Sequence, residues 1–288
     1  METEHLFAQS FLTMHPEEAA AELERLPSSD AAALLTDTPP QVSATVLRSM
    51  GPFSAAACLT NLASEPAGEI LAALPLDSAA VLLRRMEHSA QEHLLDDIAS
   101  DVATPLRLLL HYPEGSAGAL MDPQALALPD DIPVNDALER VRQTPQHVLY
   151  YLYVVDREQA LVGVLNLREL MLASPTELLH TVMRPHVARI AARADRAAIV
   201  SHSAWRNIHA LPVVDDVGVF LGALRYETLR RLEDESVANR QTQNAVATLL
   251  SVGELYWTGL SHLLAGLAAA LTPPAARQGQ GRRTNHDA

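Results

Sequence analysis

Few residues in this sequence are arranged for catalysis. Four histidines lie between residues 15 and 120 without the HExxH spacing of a metal-binding helix: His15, His88, His93 and His111. We therefore expect them on the surface or at helix ends. The sequence also has no GxSxG nucleophile motif and no GxxxxGK[ST] phosphate loop. These observations do not predict an enzyme.

The single cysteine and the charge balance narrow the class of protein further. Cys58 stands among apolar residues, so we expect a buried core thiol, and one cysteine excludes an internal disulfide, as is usual in a reducing compartment. The net charge of −14 argues against a nucleic-acid partner, because binding phosphates requires a clustered basic face. The acidic N-terminus METEHLFAQS does not resemble a secretory signal, so a cytoplasmic location is expected.

A twelve-residue repeat organises the first part of the chain. Counted from His15, seven consecutive units have leucine at the ninth position: Leu23, Leu35, Leu47, Leu59, Leu71, Leu83 and Leu95. Small residues occupy the fifth and sixth positions in six of the seven units, and the twelfth is apolar in six units, so the units share one apolar helical face. Proline, serine and aspartate near the unit starts favour a new helix in each unit. The repeat predicts short helices stacked into a superhelix over residues 1–119.

A second repeat lies in the middle of the chain. Asp156 and Asp215 are 59 residues apart, as are Gly163 and Gly222, within the similar stretches LYVVDREQALVGVLNLREL and LPVVDDVGVFLGALRYETL. The apolar runs predict the same order in each copy: a leading strand, a helix, two strands joined by a tight turn, and a closing helix. We assign the copies to residues 120–180 and 181–236.

The doubled unit resembles a pair of CBS domains. The twelve-residue repeat, the joint YPEGSAGALMDP, then YYLYVVD and GVLNLREL follow one another as in the intracellular region of MgtE-type magnesium channels. This resemblance covers about residues 15 to 235. It implies an α plus α/β protein, in which a helical domain precedes a tandem CBS pair and a C-terminal helix. It also implies a magnesium sensor, although the family's pore is not recognisable in this sequence.

The magnesium sites that the resemblance implies are altered in this chain. In the family, carboxylate clusters between the helical domain, the CBS pair and a connecting helix bind magnesium and let the sensor close. Asp77 matches one of these carboxylates, but the other matching positions hold Ala57, Val81, Thr228 and Arg231. Tight magnesium binding is therefore not expected, and Arg231 is expected to replace the metal's charge against Asp77 or a neighbouring carboxylate. An isolated Asp77 is also typical of a helix N-cap.

The resemblance also implies an adenine-nucleotide cleft. Its base and ribose positions correspond to four residues of this chain: Tyr151, Arg168, Glu169 and Ile208. Ile208 replaces an aromatic residue and Glu169 an aspartate, while Arg225 and Thr228 replace the polar pair of the second copy. We therefore expect weak adenine-nucleotide binding at most. The alternative is an empty structural cleft with Tyr151 as ordinary strand core.

The C-terminal part contains one further apolar stretch. LYWTGLSHLLAGLAAAL, residues 255–271, has its large apolar residues three and four apart and predicts an amphipathic helix within residues 237–272. We favour packing on a second copy or on a partner protein over contact with a membrane surface or a membrane anchor. Residues 273–288 are predicted to be disordered.

Two functions remain open from the sequence. The first is a stand-alone cytosolic regulatory or sensor module of the MgtE type, which is not itself a transporter. The second is a ligand-independent interaction protein that binds a partner through its helical repeat and C-terminal helix. In either case the helices that close the CBS copies predict a homodimer.

Overall fold

The computed structural model of the protein describes residues 2–144 and 151–234. The predicted C-terminal helix at residues 237–272 and the predicted tail at residues 273–288 lie outside this range. Within the range, no helix is both long and apolar enough to cross a membrane.

The first part of the chain is a series of short helices. Their bounds are α1 Glu2–Met14, α2 Pro16–Leu23, α3 Ser28–Thr36, α4 Pro40–Ser49, α5 Pro52–Asn61, α6 Ser64–Ala73, α7 Leu76–Leu83, α8 His88–Asp97 and α9 Ser100–His111. Helices α2 to α8 each begin one residue after a predicted unit start. Helix α9 keeps the same phase, since it begins twelve residues after α8. The predicted short-helix repeat is confirmed.

The repeat positions form the core of this helical domain. The seven ninth-position leucines are all buried, together with small residues at positions five and six of most units. From α2 to α9, each helix packs chiefly against the helix two places along, which produces the superhelix. Cys58 is buried as expected, and burial raises the pKa of its thiol. It is therefore a packing residue.

The predicted N-cap role of Asp77 is wrong. The N-cap position of helix α7 is occupied by Pro75, whose side chain makes no capping hydrogen bond. Asp77 lies inside the first helical turn, where Oδ1 accepts a hydrogen bond from the backbone N–H of Ser78 at 2.8 Å. Its other carboxylate oxygen, Oδ2, faces Arg231 near the end of the second copy.

A short helix, α10 Ala117–Leu120, joins the helical domain to the rest of the chain. The backbone N–H groups of Ala117 and Gly118 donate to the carbonyl oxygens of Ala194 and Ala192, at 2.9 and 2.8 Å. Farther on, the backbone groups of Asp122 and Ala223 exchange two hydrogen bonds. The joint is thus fixed to the second copy of the doubled unit, although the first copy follows it in sequence.

The two copies share one topology. The first contains β1 Ala127–Pro129, α11 Val134–Gln143, β2 Tyr151–Val155, β3 Leu161–Asn166 and α12 Leu167–Leu172. After α13 Leu179–Val182, the second contains β4 Ile190–Ala191, α14 Arg196–Ser201, a 3-10 turn Ser203–Arg206, β5 Ala210–Val214, β6 Phe220–Arg225 and a helix α15 at residues 226–234. In each sheet the first strand is parallel to the second, and the second is antiparallel to the third.

The repeated aspartates build the same turn twice. Oδ1 of Asp156 accepts hydrogen bonds from two backbone N–H groups at 3.0 and 2.8 Å, and Oδ1 of Asp215 does the same at 3.0 and 2.8 Å. The two hairpins also bond to each other, because Phe220 N–H donates to the carbonyl oxygen of Gln159 at 2.9 Å. The two copies therefore pack together through their hairpins.

Candidate functional site

Two clefts lie beside the third strands of the two copies. The first cleft, about 360 Å³, is lined by Tyr151, Asn166, Glu169, Arg184, His186 and Ile208, among others. The second cleft, about 460 Å³, is lined by Asp77, Asp122, Arg225, Glu227, Thr228 and Arg231, among others. The first belongs to the doubled unit, whereas the second is closed on one side by α7 of the helical domain.

Three of the four predicted nucleotide residues meet in the first cleft. Tyr151 begins β2, Glu169 lies in α12, and Ile208 follows the 3-10 turn of the second copy. Arg168 is exposed in the first turn of α12 and does not line the cleft. The cleft therefore has an apolar and aromatic wall from both copies.

The acidic group in the first cleft already has partners within the chain. Oε2 of Glu169 accepts a hydrogen bond from the backbone N–H of Asn166 at 3.0 Å, and Oδ1 of Asn166 accepts one from Glu169 N–H at 2.8 Å, forming a capping box. Oε1 of Glu169 forms an ion pair with Arg184. Glu169 thus both caps α12 and holds the segment that leads into the second copy.

Sequence reasoning missed Arg184 and His186. Both lie in the segment that follows the first copy. Within this segment, Arg184 pairs with Val164 of β3 through two backbone hydrogen bonds at 3.1 and 2.9 Å. Met183-Arg184-Pro185 opens this segment, as Met121-Asp122-Pro123 opens the first copy. Its docking beside β3 depends on tertiary pairing, so the local sequence could not place it.

One buried polar atom lies beside the first cleft. Tyr153 is almost fully buried and stacks on Phe220 with ring centroids 4.7 Å apart. Among the described side chains, its hydroxyl is a buried polar group without a hydrogen-bond partner. Burial, with smaller contributions from Tyr151 and Asp122, raises the pKa of Tyr153 above its usual value. The hydroxyl is therefore neutral.

The second cleft contains two ion pairs between separate parts of the chain. Nη1 of Arg231 in α15 donates to Oδ2 of Asp77 in α7 at 2.6 Å, as the sequence predicted. Arg225, the last residue of β6, pairs with Asp122 in the joint. Burial raises the pKa of Asp77, but the hydrogen bond and charge of Arg231, together with the hydrogen bonds from Ser78, hold that pKa below its usual range.

These residues do not fit a magnesium site. Magnesium is bound by oxygen ligands in near-octahedral geometry, and Arg225 and Arg231 place positive charge where such ligands would have to converge. Thr228 lines the cleft without a charge, while Ala57 and Val81 have no side-chain oxygen. In residues 2–144 and 151–234, no group of three or more His, Cys, Asp or Glu side chains could hold a metal ion.

Comparison with known families agrees with this architecture. Residues 14–115 match the family model for the MgtE intracellular N domain, and residues 117–175 match the one for the CBS domain. The chain carries an MgtE N domain joined to a CBS pair. The N domain is the helical superhelix α2–α9, and the second CBS copy is the unit that repeats the topology of the first.

Individual relatives come from the same family. The magnesium transporter MgtE of Thermus thermophilus is 30% identical over 158 residues, which is 54% of this chain and 35% of the relative. MgtE of Bacillus subtilis is 27% identical over 137 residues, which is 47% of this chain and 30% of the relative. The matching region thus spans about a third of these curated relatives.

Two solved structures share the fold of the MgtE-type chain. The cytosolic domain of the Mg²⁺ channel MgtE in complex with ATP has a TM-score of 0.64 and 28% identity, covering 78% of this chain and 93% of that one. The soluble part of a magnesium transporter has a TM-score of 0.62 and 23% identity, covering 82% and 93%. The second likeness supports the fold alone.

Proposed function

We propose that this chain is a regulatory module of the MgtE type that acts in the cytosol, and that it is not an enzyme. Its CBS pair senses an adenine nucleotide in the first cleft. The observation that carries this proposal is the convergence of Tyr151, Glu169 and Ile208 from both copies on one cleft of about 360 Å³. A domain of 28% identity has been solved in complex with ATP, which supports the same ligand class.

The chemistry of the first cleft suits a base better than a triphosphate. Tyr151 and Ile208 offer an aromatic and an apolar surface for a planar ring. Arg184 is the guanidinium among the lining residues, and its charge is balanced by Glu169. Little net positive charge is left for phosphates, so we expect adenosine to bind about as well as ATP, and both only weakly.

We further propose a homodimer through the CBS pair. Helix α12, which closes the first copy, exposes Met171 and Leu172, with 68% and 76% of their surfaces accessible, beside the partly exposed Leu167. A cluster of this kind on a short helix is typical of a surface covered by a partner. The predicted interaction of residues 237–272 with a partner protein remains a separate proposal, outside the described residues.

Ligand titration tests the sensor proposal. We expect adenosine, AMP, ADP and ATP to raise the melting temperature of the purified chain at millimolar concentration, with a change in small-angle scattering. Tyr151→Ala should abolish the response, whereas Tyr226→Ala, outside the cleft, should keep it. A folded wild-type chain that binds none of these ligands would contradict the proposal.

One observation favours the second candidate, a ligand-independent interaction protein. Both carboxylate oxygens of Glu169 are engaged within the chain, one with the backbone of Asn166 and the other with Arg184. A ribose would have to compete with these contacts. If the chain captures a partner equally well with and without nucleotide, this second function is the correct one.

A further inference from the structure

The N domain meets the second CBS copy across the second cleft. On one side lie Asp77 in α7 and Asp122 in the joint; on the other lie Arg225 at the end of β6 and Arg231 in α15. Asp77 and Asp122 are each paired with one guanidinium, and the pair of Arg231 with Asp77 joins residues 154 positions apart. Glu227 of α15 lines the cleft as well. Two ion pairs thus connect α7 and the joint to the second copy.

The carboxylates on this surface need a positive partner. The side chain of Asp122 is only 16% exposed, and a buried carboxylate without a counter-charge is strongly destabilising. Among residues 2–144 and 151–234, no cluster of side chains would hold a metal ion as the counter-charge. The guanidinium groups supply the charge directly, and arginine stays protonated at any working pH.

We propose that the guanidinium groups of Arg231 and Arg225 take the place of a divalent cation between the N domain and the second CBS copy. The chain carries its own cations at this joint, so the joint closes at any magnesium concentration. This inference goes beyond the nucleotide-sensor proposal and is independent of it, since it involves the other cleft. It makes the chain a module whose N domain is fixed in place without a metal signal.

The wild-type chain provides the first test. Small-angle scattering and limited proteolysis of the joint, residues 112–123, are compared with and without millimolar magnesium at constant ionic strength. We expect no change in the radius of gyration and no change in the cleavage rate. A contraction or strong protection that magnesium produces and matched monovalent salt does not would overturn the proposal.

Reversing one charge provides the second test. Arg231→Glu places two carboxylates against each other, so without divalent cations we expect cleavage of the joint to rise about tenfold, because cleavage follows the population of the open state. Millimolar magnesium should restore the wild-type rate, since two facing carboxylates are ligands that it accepts. Arg230→Glu is the matched control, because Arg230 is exposed on the same helix and the charge change is equal.

A variant in which the two charges are exchanged distinguishes opening of the joint from misfolding of the chain. Asp77→Arg combined with Arg231→Asp keeps the pair with reversed polarity, and we expect it to be as protected as wild type without magnesium. The proposal is overturned if Arg231→Glu is as protected as Arg230→Glu, if magnesium fails to close Arg231→Glu, or if the exchanged pair opens like the single variant.

Discussion

The leading segments of the two CBS copies carry opposite charges at corresponding positions, Arg184 and Asp122. Beside β3 of the first copy, Arg184 comes from the segment that leads into the second copy and is paired with Val164 through the backbone. Its ion-pair partner, Glu169, belongs to α12 of the first copy. In the second copy the joint supplies Asp122, beside Ala223 of β6, and the copy's own strand supplies Arg225. The same backbone pairing thus carries a charge pair of reversed polarity.

This difference explains why one cleft suits a ligand and the other suits a domain contact. The first cleft has aromatic and apolar walls and faces solvent, with a side chain of Arg184 that is 70% exposed. In the second, positive charge on β6 and α15 matches the acidic first turn of α7. The different roles that we propose for the two pockets therefore depend on a few charged residues.

The largest expected difference between the copies is the loss of stability when an equivalent glycine is replaced by alanine. A Cβ at Gly222 would collide with the backbone of Asp122 and Pro123, whereas a Cβ at Gly163 would meet the flexible side chain of Met183. We expect Gly222→Ala to destabilise the CBS pair by about 3 kcal/mol and Gly163→Ala by about 1 kcal/mol. Urea denaturation measures both, and equal losses would show that the two leading segments are held alike.

The next difference concerns the two charge pairs. Asp122→Asn removes the charge that faces Arg225 in a largely buried position, and we expect a loss of about 2 kcal/mol. Arg184→Gln removes an exposed partner of Glu169, and we expect a loss of about 0.5 kcal/mol. Thermal denaturation of both variants tests this order. A larger loss in Arg184→Gln would contradict our view that the second cleft is the tighter contact.

Sequence alone predicted the first residues of the repeat helices to within one residue, and it predicted the topology of both copies. That success depends on strong local signals, since proline lies at the start or the N-cap of five of the helices α2–α9 and the ninth-position leucines are buried. The N-cap role of Asp77 was wrong because Pro75 takes that position and sets the first turn two residues earlier. Arg184 and His186 were missed because their place in the cleft depends on backbone pairing with a strand from the other copy.

A smaller effect should appear when the first cleft is given a better surface for a base. Ile208→Tyr adds a second aromatic ring to the cleft that Tyr151 lines, and we expect the affinity for adenosine to rise about fivefold, equivalent to about 1 kcal/mol of stacking. Val217→Tyr is the control, because Val217 is exposed away from the cleft. Calorimetry measures both. Submicromolar binding of ATP by the wild-type chain would contradict the weak site that we describe.

Removing the unpaired hydroxyl beside the first cleft should stabilise the protein slightly. Tyr153→Phe keeps the stacking on Phe220 and removes a buried group that has lost its water without gaining a partner. We expect a gain of up to about 1 kcal/mol. Chemical denaturation measures it, with Tyr151→Phe as the half-buried control. A loss of stability instead would show that the hydroxyl binds an ordered water or a ligand.

The smallest expected effect is the acid response of the second cleft. Because the folded-state pKa of Asp77 lies below its usual value, the ionised carboxylate stabilises the folded state, and this contribution is fully present above about pH 4. It is lost as the pH falls through the folded pKa, since the protonated acid no longer pairs with Arg231. Protection of residues 112–123 against an acid-active protease should therefore stay constant from neutral pH to about pH 4 and then decline. In Arg231→Gln the decline should be smaller, because the pair that acid breaks is already gone. A wild-type joint that opens between pH 7 and pH 5 would contradict this assignment, because an ion pair between arginine and a carboxyl group of low pKa does not titrate there.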